Sequence, residues 1–410
     1  MYEISPDNEV AERRKAGGQS SSGAVVVLLT ALVSIGPLTT DLYLPSLPNM
    51  ARAFATDAAK IQLTLSLYLL TFGVAQLVHG PLSDRFGRRP VLLCGLALYV
   101  GAGVACALAT SIEVLIAWRV VQAFGACSAT VVGRAIVRDM FEGARAVRAM
   151  AWIGAAVALG PVLGPLAGGY LEESFGWQAG FYLLAGFGAV LAVLVGTGLS
   201  ETNRHRGPQG RGVWGLVRGY AVLLTNRTYV GFVTGVACSF VGLFLFISDS
   251  SFVMVDHLGL SPSSFGLAFG IVACGYMVGN LLSARLSRRF RPYVMVRTGA
   301  GTCALAGVVG VSLALAGYDT AEAIVAPMVC YMIGFGLIMP NGIIGAIAPF
   351  PERAGAASAL LGFSQMTLSA VCAWGLSQIP HTDQVPMLIG VTIAGAASLI
   401  AFFALPRPTD

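Results

Sequence analysis

The sequence predicts an all-α membrane protein: twelve transmembrane helices in two six-helix bundles related by a pseudo-twofold axis. Three observations carry this. Hydrophobic residues make up 56% of the 410 residues and charged residues only 11%, against about 25% charged in soluble domains. Apolar runs of spanning length, roughly 20 residues, recur twelve times. The two halves of the chain also repeat a short loop sequence at equivalent places.

The runs fall at 24–47, 60–80, 90–109, 112–134, 147–169 and 178–198, then at 229–249, 264–284, 294–316, 322–345, 354–378 and 385–405. Residues 1–22 are polar, with Arg13, Arg14 and Lys15 ahead of the first run. A secretory signal has a similar start, but this run is too long and no small-residue cleavage site follows it. The first run is therefore expected to stay as a helix, with 1–22 as a tail. Residues 199–227 form the one long polar connection and separate a bundle at 23–198 from a bundle at 228–405, with a short tail at 406–410.

Arginines mark one side of the membrane. Arg85, Arg88 and Arg89 follow span 2, and Arg138, Arg145 and Arg148 follow span 4. Arg204, Arg206, Arg211, Arg218 and Arg227 fill the central connection. Arg285, Arg288, Arg289 and Arg291 follow span 8, and Arg353 follows span 10. The alternate loops carry little more than Arg52 and Lys60. The excess of cations predicts that these loops and both termini are cytoplasmic. It also accounts for the net charge of +5 without a nucleic-acid partner. The loop Leu82-Ser83-Asp84-Arg85 with Arg88-Arg89 recurs as Leu282-Ser283-Ala284-Arg285 with Arg288-Arg289. Such a repeat places a site between the bundles near the midplane.

The first span carries one acid, Asp41, just before Pro45 and Pro48. A carboxylate at membrane depth costs about 2.5–3.5 kcal/mol even on a lenient scale. Such a group is neutral part of the time, paired, or facing water. Asp41 is read as a group that takes up and releases a proton; a headgroup-level helix cap is the competing reading. Eight cysteines are scattered singly in apolar segments, and the four histidines are isolated in sequence. No metal site, cofactor or catalytic cluster is expected, so the chain is not read as an enzyme. No GxxxxGK[ST] loop is present, which leaves an ion gradient as the energy source.

The loop Gly80-Pro81-Leu82-Ser83-Asp84-Arg85-Phe86-Gly87-Arg88-Arg89 is the most specific motif. Its glycines permit tight turns, and Asp84 beside arginines can form charge-assisted bonds. It resembles the signature loop of the major facilitator superfamily. The resemblance implies a cytoplasmic gate built from Gly80, Asp84, Arg85, Gly87, Arg88 and Arg89; the second copy, with Ala284, would be a weaker one. Arg119-x-x-Gln122-x-x-Gly125 resembles the span-4 motif of the drug:proton antiporters, which implies a role for Arg119 in proton handling. A snorkelling interfacial arginine is the alternative. Gly160-Pro161-Val162-Leu163-Gly164-Pro165-Leu166-Ala167-Gly168 resembles the antiporter motif of exporters.

Thr40-Asp41-Leu42-Tyr43-Leu44-Pro45-Ser46-Leu47-Pro48, Ile61-Gln62-Leu63-Thr64, Gly176-Trp177-Gln178 and Pro340-Asn341-Gly342 resemble the Bcr/CflA drug-resistance branch. This branch includes bicyclomycin, chloramphenicol and florfenicol exporters. The resemblance spans residues 24 to about 405 and implies the major facilitator fold, a bacterial inner membrane and a monomer. It also implies a small amphipathic drug exchanged for protons. Relatives carry a second acid two turns before Asp41, where this chain has Val33. Spans 1, 4, 7 and 10 would line the cavity and supply Tyr43, Gln122, Phe240, Phe244 and Asn341 to the substrate. For each aromatic, lipid-facing or helix-packing duty is the alternative. Asp249 is a second, weaker proton candidate. An exporter or importer of a physiological solute on the same fold competes with the drug reading, and the span-5 pattern speaks against import.

Overall fold

Hydropathy sets the outline of the computed structural model, which describes residues 6–203, 213–379 and 383–405. Among the described residues, twelve helices are long and apolar enough to cross a membrane, from the one starting at Gly23 to the one ending at Phe403.

In the first half, α1 (Pro6–Asp41) leads into a tight turn and the short α2 (Leu47–Ala53). Then come α3 (Ala58–Phe86), α4 (Arg88–Ala107), α5 (Ile112–Met140), α6 (Gly143–Phe175) and α7 (Gln178–Gly198). The central connection contains α8 (Val213–Leu224). The second half consists of α9 (Arg227–Ser251), α10 (Pro262–Leu286), α11 (Pro292–Leu315), α12 (Ala321–Ile347), α13 (Ala354–Ser377) and α14 (Val385–Phe403).

The twelve spans fall where the apolar runs predict them. Two segments are more structured than their polarity suggests. Residues 6–22 extend the first helix, and residues 213–224 of the connection form α8. Arg204, Arg206, Arg211 and the tail 406–410 lie outside the described residues.

Local chemistry fixes the boundaries. Asp57, Ser111, Asn226, Ser261 and Thr320 each cap a helix by accepting a backbone N–H three residues on, which satisfies a donor the helix itself cannot. Gly87 and Gly176 join consecutive spans at φ 101° and 81°, a region that side chains disfavour.

The pairing of helices repeats between the halves. The pairs α4–α5, α3–α5, α4–α7, α1–α5 and α1–α6 recur as α11–α12, α10–α12, α11–α14, α9–α12 and α9–α13. The two most extensive contacts between the halves are α3 with α13 and α6 with α10. The operation that maps one half onto the other exchanges these two, as a pseudo-twofold axis requires.

The halves are tied most firmly at the end away from the Gly80–Arg89 loop. There Arg52 pairs with Asp256 at 3.0 Å. Gln62 donates to Asp249 at 3.0 Å. The Ser263 N–H donates to Glu173 at 3.0 Å, an acid placed at the start of α10 where the helix dipole favours it.

Candidate functional site

The site begins where α1 stops. Helix α1 ends at Asp41, and the chain turns through Leu44–Ser46 into α2. This turn packs on α6, α9 and α10 and so touches both halves. The approach is close because α6 presents glycines. A β-carbon at Gly168 would lie 1.8 Å from the Leu42 carbonyl oxygen, and one at Gly164 would lie 3.1 Å from the Asp41 Cβ. Gly160 meets Pro37 in the same way. The opposite face of α6 meets the second half: β-carbons at Gly266 and Gly270 would lie 2.3 Å from the Pro165 carbonyl and 3.4 Å from the Val162 carbonyl. The Gly/Pro motif of α6 thus carries α1 on one side and α10 on the other. Small residues permit such backbone approach where apolar side chains gain little over lipid.

Asp41 sits at the helix end, yet it is only 3% exposed. Its side chain is surrounded by protein rather than solvent. Its hydrogen-bond partner is the Thr40 hydroxyl, which donates at 3.0 Å.

Arg119 lies on α5 and is fully buried, so it does not snorkel. Its guanidinium lies 4.3 Å from the centroids of both Tyr43 and Tyr68, with Phe181 at 5.9 Å. One nitrogen donates to the Gln122 side-chain oxygen at 2.8 Å and approaches the Thr39 carbonyl at 3.5 Å. Nε and the other terminal nitrogen lie against the rings, without an acceptor. A cation stripped of water is held here by quadrupoles and carbonyl dipoles. The Tyr43 hydroxyl and Thr64 are 3.2 Å apart, and Thr39 links to the Tyr99 hydroxyl at 2.8 Å.

These contacts separate the two groups expected to handle protons. Asp41 turns toward α6 and Arg119 toward α3 and α7. Tyr43 and Gln122, expected at the substrate, are the groups that seat Arg119.

Phe240 and Phe244 stack at 6.5 Å on α9, and Phe240 meets Phe335 of α12 at 6.1 Å. Phe240 is half-buried and Phe244 is 1% exposed. Asn341 is 3% exposed. Its amide donates to Ser283 at 2.7 Å and to the Leu337 carbonyl at 2.8 Å, which makes it a tie between α12 and α10. Asp249 lies outside the arginine setting and bridges to Gln62.

The Gly80–Arg89 loop is knitted within its own half. Arg88 bonds Asp84 at 2.5 Å, Asp139 at 2.9 Å and Ser83 at 2.7 Å. The Glu201 carboxylate accepts the backbone N–H groups of Arg88 and Arg89 at the start of α4, and Arg89 donates to the Gly196 carbonyl at 2.6 Å. Arg85 is exposed, with its guanidinium over the Phe86 ring. Gly87 supplies the positive φ of the turn, whereas a β-carbon at Gly80 would meet open space.

Sequence reasoning missed Tyr68, Asp139 and Glu201 as partners. Each is recognised only through a contact with a residue on another helix. Asp139 directly follows Arg138 at the end of α5, and its charge was the one signal in reach.

The family model described as Major Facilitator Superfamily matches residues 28–373. Over 94% of this chain and 96% of the relative, the sequence is 31% identical to the uncharacterized MFS-type transporter YdgK of Bacillus subtilis. It is 28% identical to multidrug resistance protein D of Escherichia coli, covering 93% and 95% of the two chains. It is 32% identical to a chloramphenicol resistance protein of Pseudomonas aeruginosa, covering 90% and 87%. Among solved structures, the xylose transporter XylE from E. coli in a partially occluded inward open conformation matches with a TM-score of 0.75. That match has 14% identity and covers 95% of this chain and 99% of the other.

Proposed function

We propose, from the premise that this chain belongs to the major facilitator superfamily, that it exports amphipathic drugs in exchange for protons. The observation that carries the reading is Asp41. This carboxyl is buried at the turn that touches both halves, against the glycines of α6, with one hydroxyl for a partner.

The relatives named for multidrug and chloramphenicol resistance support drug as the cargo. The excess of arginines on alternate loops supports cytoplasmic termini in a bacterial inner membrane. In that orientation the closed end of the bundle faces outward and the space between the halves opens to the cytoplasm. A drug enters from below. The outer contacts must then part and the loop end must close.

A charge on Asp41 resists dry contact with α6, and a proton removes it. A drug that requires the ionised carboxyl excludes the proton, and exchange follows from that competition. Held between Tyr43 and Tyr68, Arg119 sets the potential at the end of α1 without neutralising Asp41 directly. The Gly/Pro motif of α6 seals the seam through which ions would otherwise leak.

The test is proton release from purified protein on addition of chloramphenicol, in wild type and Asp41→Asn. Release is expected in wild type alone. Release of equal size from the variant would exclude Asp41. A physiological solute as cargo would show as proton-coupled transport with no change in susceptibility across a drug panel.

A further inference from the structure

The second copy of the loop motif keeps its arginines and loses their partners. In the first copy Arg88 is held by Ser83, Asp84 and Asp139. The relation between the halves puts Arg288 in the corresponding place after α10. There Ser283 is taken by Asn341 of α12, which donates to it at 2.7 Å. Ala284 stands where Asp84 would be, and residues 346–350 at the end of α12 hold no acid to match Asp139 at the end of α5. Arg89 has the Gly196 carbonyl at the end of α7. At the end of α14 the carbonyls of Phe402 and Leu405 are occupied by Arg297 instead. Among the described residues, Arg285, Arg288 and Arg289 pair with no carboxylate, and all three are exposed.

The frame that carries them is fixed. Ser287 donates its N–H to the Ser283 carbonyl, and Arg289 and Phe290 donate theirs to Leu286, at 2.9 to 3.0 Å. Asn341 ties Ser283 to α12. The arginines surround a depression of about 640 Å³ whose other lining residues are Leu281, Ala284 and Leu286. One side of it is therefore cationic and the other apolar. The apolar side continues back along α10, where Val278, Leu281 and Leu282 are 47%, 55% and 36% exposed. Steps of three and four residues carry this stripe to Arg285 and Arg289 on one helix face. Three cations within five positions repel one another unless an anion lies among them. A soluble anion would answer the arginines and leave the stripe bare. A ligand with an anionic head and an apolar tail answers both.

We propose that this depression binds an anionic phospholipid of the cytoplasmic leaflet, with its phosphate among Arg285, Arg288 and Arg289 and an acyl chain along Leu281 and Val278. The lipid supplies the negative charge that Asp84 and Asp139 supply in the first half. Arginine's planar N–H groups meet phosphate oxygens in pairs. A second net charge on the headgroup is not needed; a lipid whose phosphate is cancelled by its own cation is the weaker ligand.

The test is made on the full chain in a non-ionic detergent. Phosphatidylglycerol and phosphatidylcholine with identical acyl chains are titrated in, and bound lipid is counted by native mass spectrometry. Wild type is expected to hold phosphatidylglycerol at least about tenfold more tightly, since each cation beside an anionic lipid is worth about fivefold. Replacing Arg285, Arg288 and Arg289 together by Gln is expected to remove the difference. Ala284→Asp restores the acid of the first copy and is expected to weaken phosphatidylglycerol about fivefold by engaging Arg288. It leaves every arginine in place, so it decides the matter if the triple variant does not elute as wild type. A control with Arg138, Arg145 and Arg148 replaced by Gln removes the same charge between α5 and α6 and is expected to bind as wild type does. Equal binding of the two lipids by wild type, unchanged binding in Ala284→Asp, or an equal loss in the control overturns the site. Displacement of phosphatidylglycerol by millimolar glycerol 3-phosphate would assign the arginines to a soluble phosphate and overturn the lipid as occupant.

Discussion

The Gln62 amide donates a 3.0 Å hydrogen bond to Asp249 across the seam between the two halves. Both residues are 2% exposed. Gln62 is on α3 of the first half and Asp249 on α9 of the second, so the bond exists only while this end of the bundle is shut. Hydrogen bonds to charged groups contribute about 1.5–3 kcal/mol, more than the exposed Arg52–Asp256 pair above it, which is worth under about 1 kcal/mol. Asp249→Ala is expected to shift the population toward the form open at this end by roughly tenfold. Spin-label distances between the outer ends of α3 and α9 would report it. A double-mutant cycle with Gln62→Ala should give a coupling of about 1 kcal/mol or more; additive effects would show that the bond does not hold the seam.

The glycines of α6 give a contrast within one helix. A β-carbon at Gly168 would fall 1.8 Å from the Leu42 carbonyl, whereas Gly154 has nothing within 4 Å. Gly168→Ala must push α1 away, at a cost of about 1–3 kcal/mol. Gly154→Ala should be neutral to within about 0.5 kcal/mol. Thermal unfolding in detergent distinguishes them. Equal midpoints for the two variants would mean that the turn after Asp41 is free to move off α6.

The loop between α3 and α4 should show its effect in rate rather than stability. Asp84 is exposed, and its bond to Arg88 stays within the loop, so Asp84→Asn should change stability by less than about 1 kcal/mol. In this state the loop makes its bonds inside its own half. A latch across the halves would be needed only when the loop end closes. Asp84→Asn is therefore expected to slow transport several-fold with drug affinity intact. Arg88→Ala, which also releases Asp139 and Ser83, is expected to cost more in both. Unchanged turnover in Asp84→Asn would remove the loop from the cycle.

Most of the fold was legible in the sequence because lipid imposes a length and a composition on each crossing. The twelve runs and the Gly87 turn are local signals, readable one segment at a time. The site was legible only in part. Asp41 and Arg119 stood out because a charge in an apolar run is conspicuous. Their separation did not, because it depends on Tyr68, which lies 51 positions from Arg119 and reads as an ordinary apolar-face residue of α3. Asn341 was expected at the pocket because the resemblance places span 10 along the cavity. Its bonds to Ser283 and Leu337 account for it by helix packing.

Asp41→Asn keeps the size and hydrogen-bonding shape of the protonated carboxyl and removes its titration. It is expected to fold, to bind chloramphenicol more weakly than wild type because it mimics the protonated form that the drug excludes, and to lose drug-driven proton release. Retention of full resistance in cells would remove Asp41 from the coupling step.

Arg119 tests whether the seat of the cation matters separately from its charge. The guanidinium carbon lies 4.3 Å from the ring centroids of both Tyr43 and Tyr68, an arrangement worth about 2 kcal/mol when desolvated. Lysine carries the same charge as a compact, strongly hydrated head and cannot fill that slot. Arg119→Lys is therefore expected to destabilise the first half by about 2 kcal/mol and to lower transport about tenfold, although the formal charge is kept. Tyr68→Leu should lose a similar amount of stability, and adding Arg119→Lys to it should cost little more, because the two changes remove one interaction. If Arg119→Lys transports like wild type, charge alone suffices at this position. If the two variants add fully, the ring-to-cation contact is not what holds the arginine.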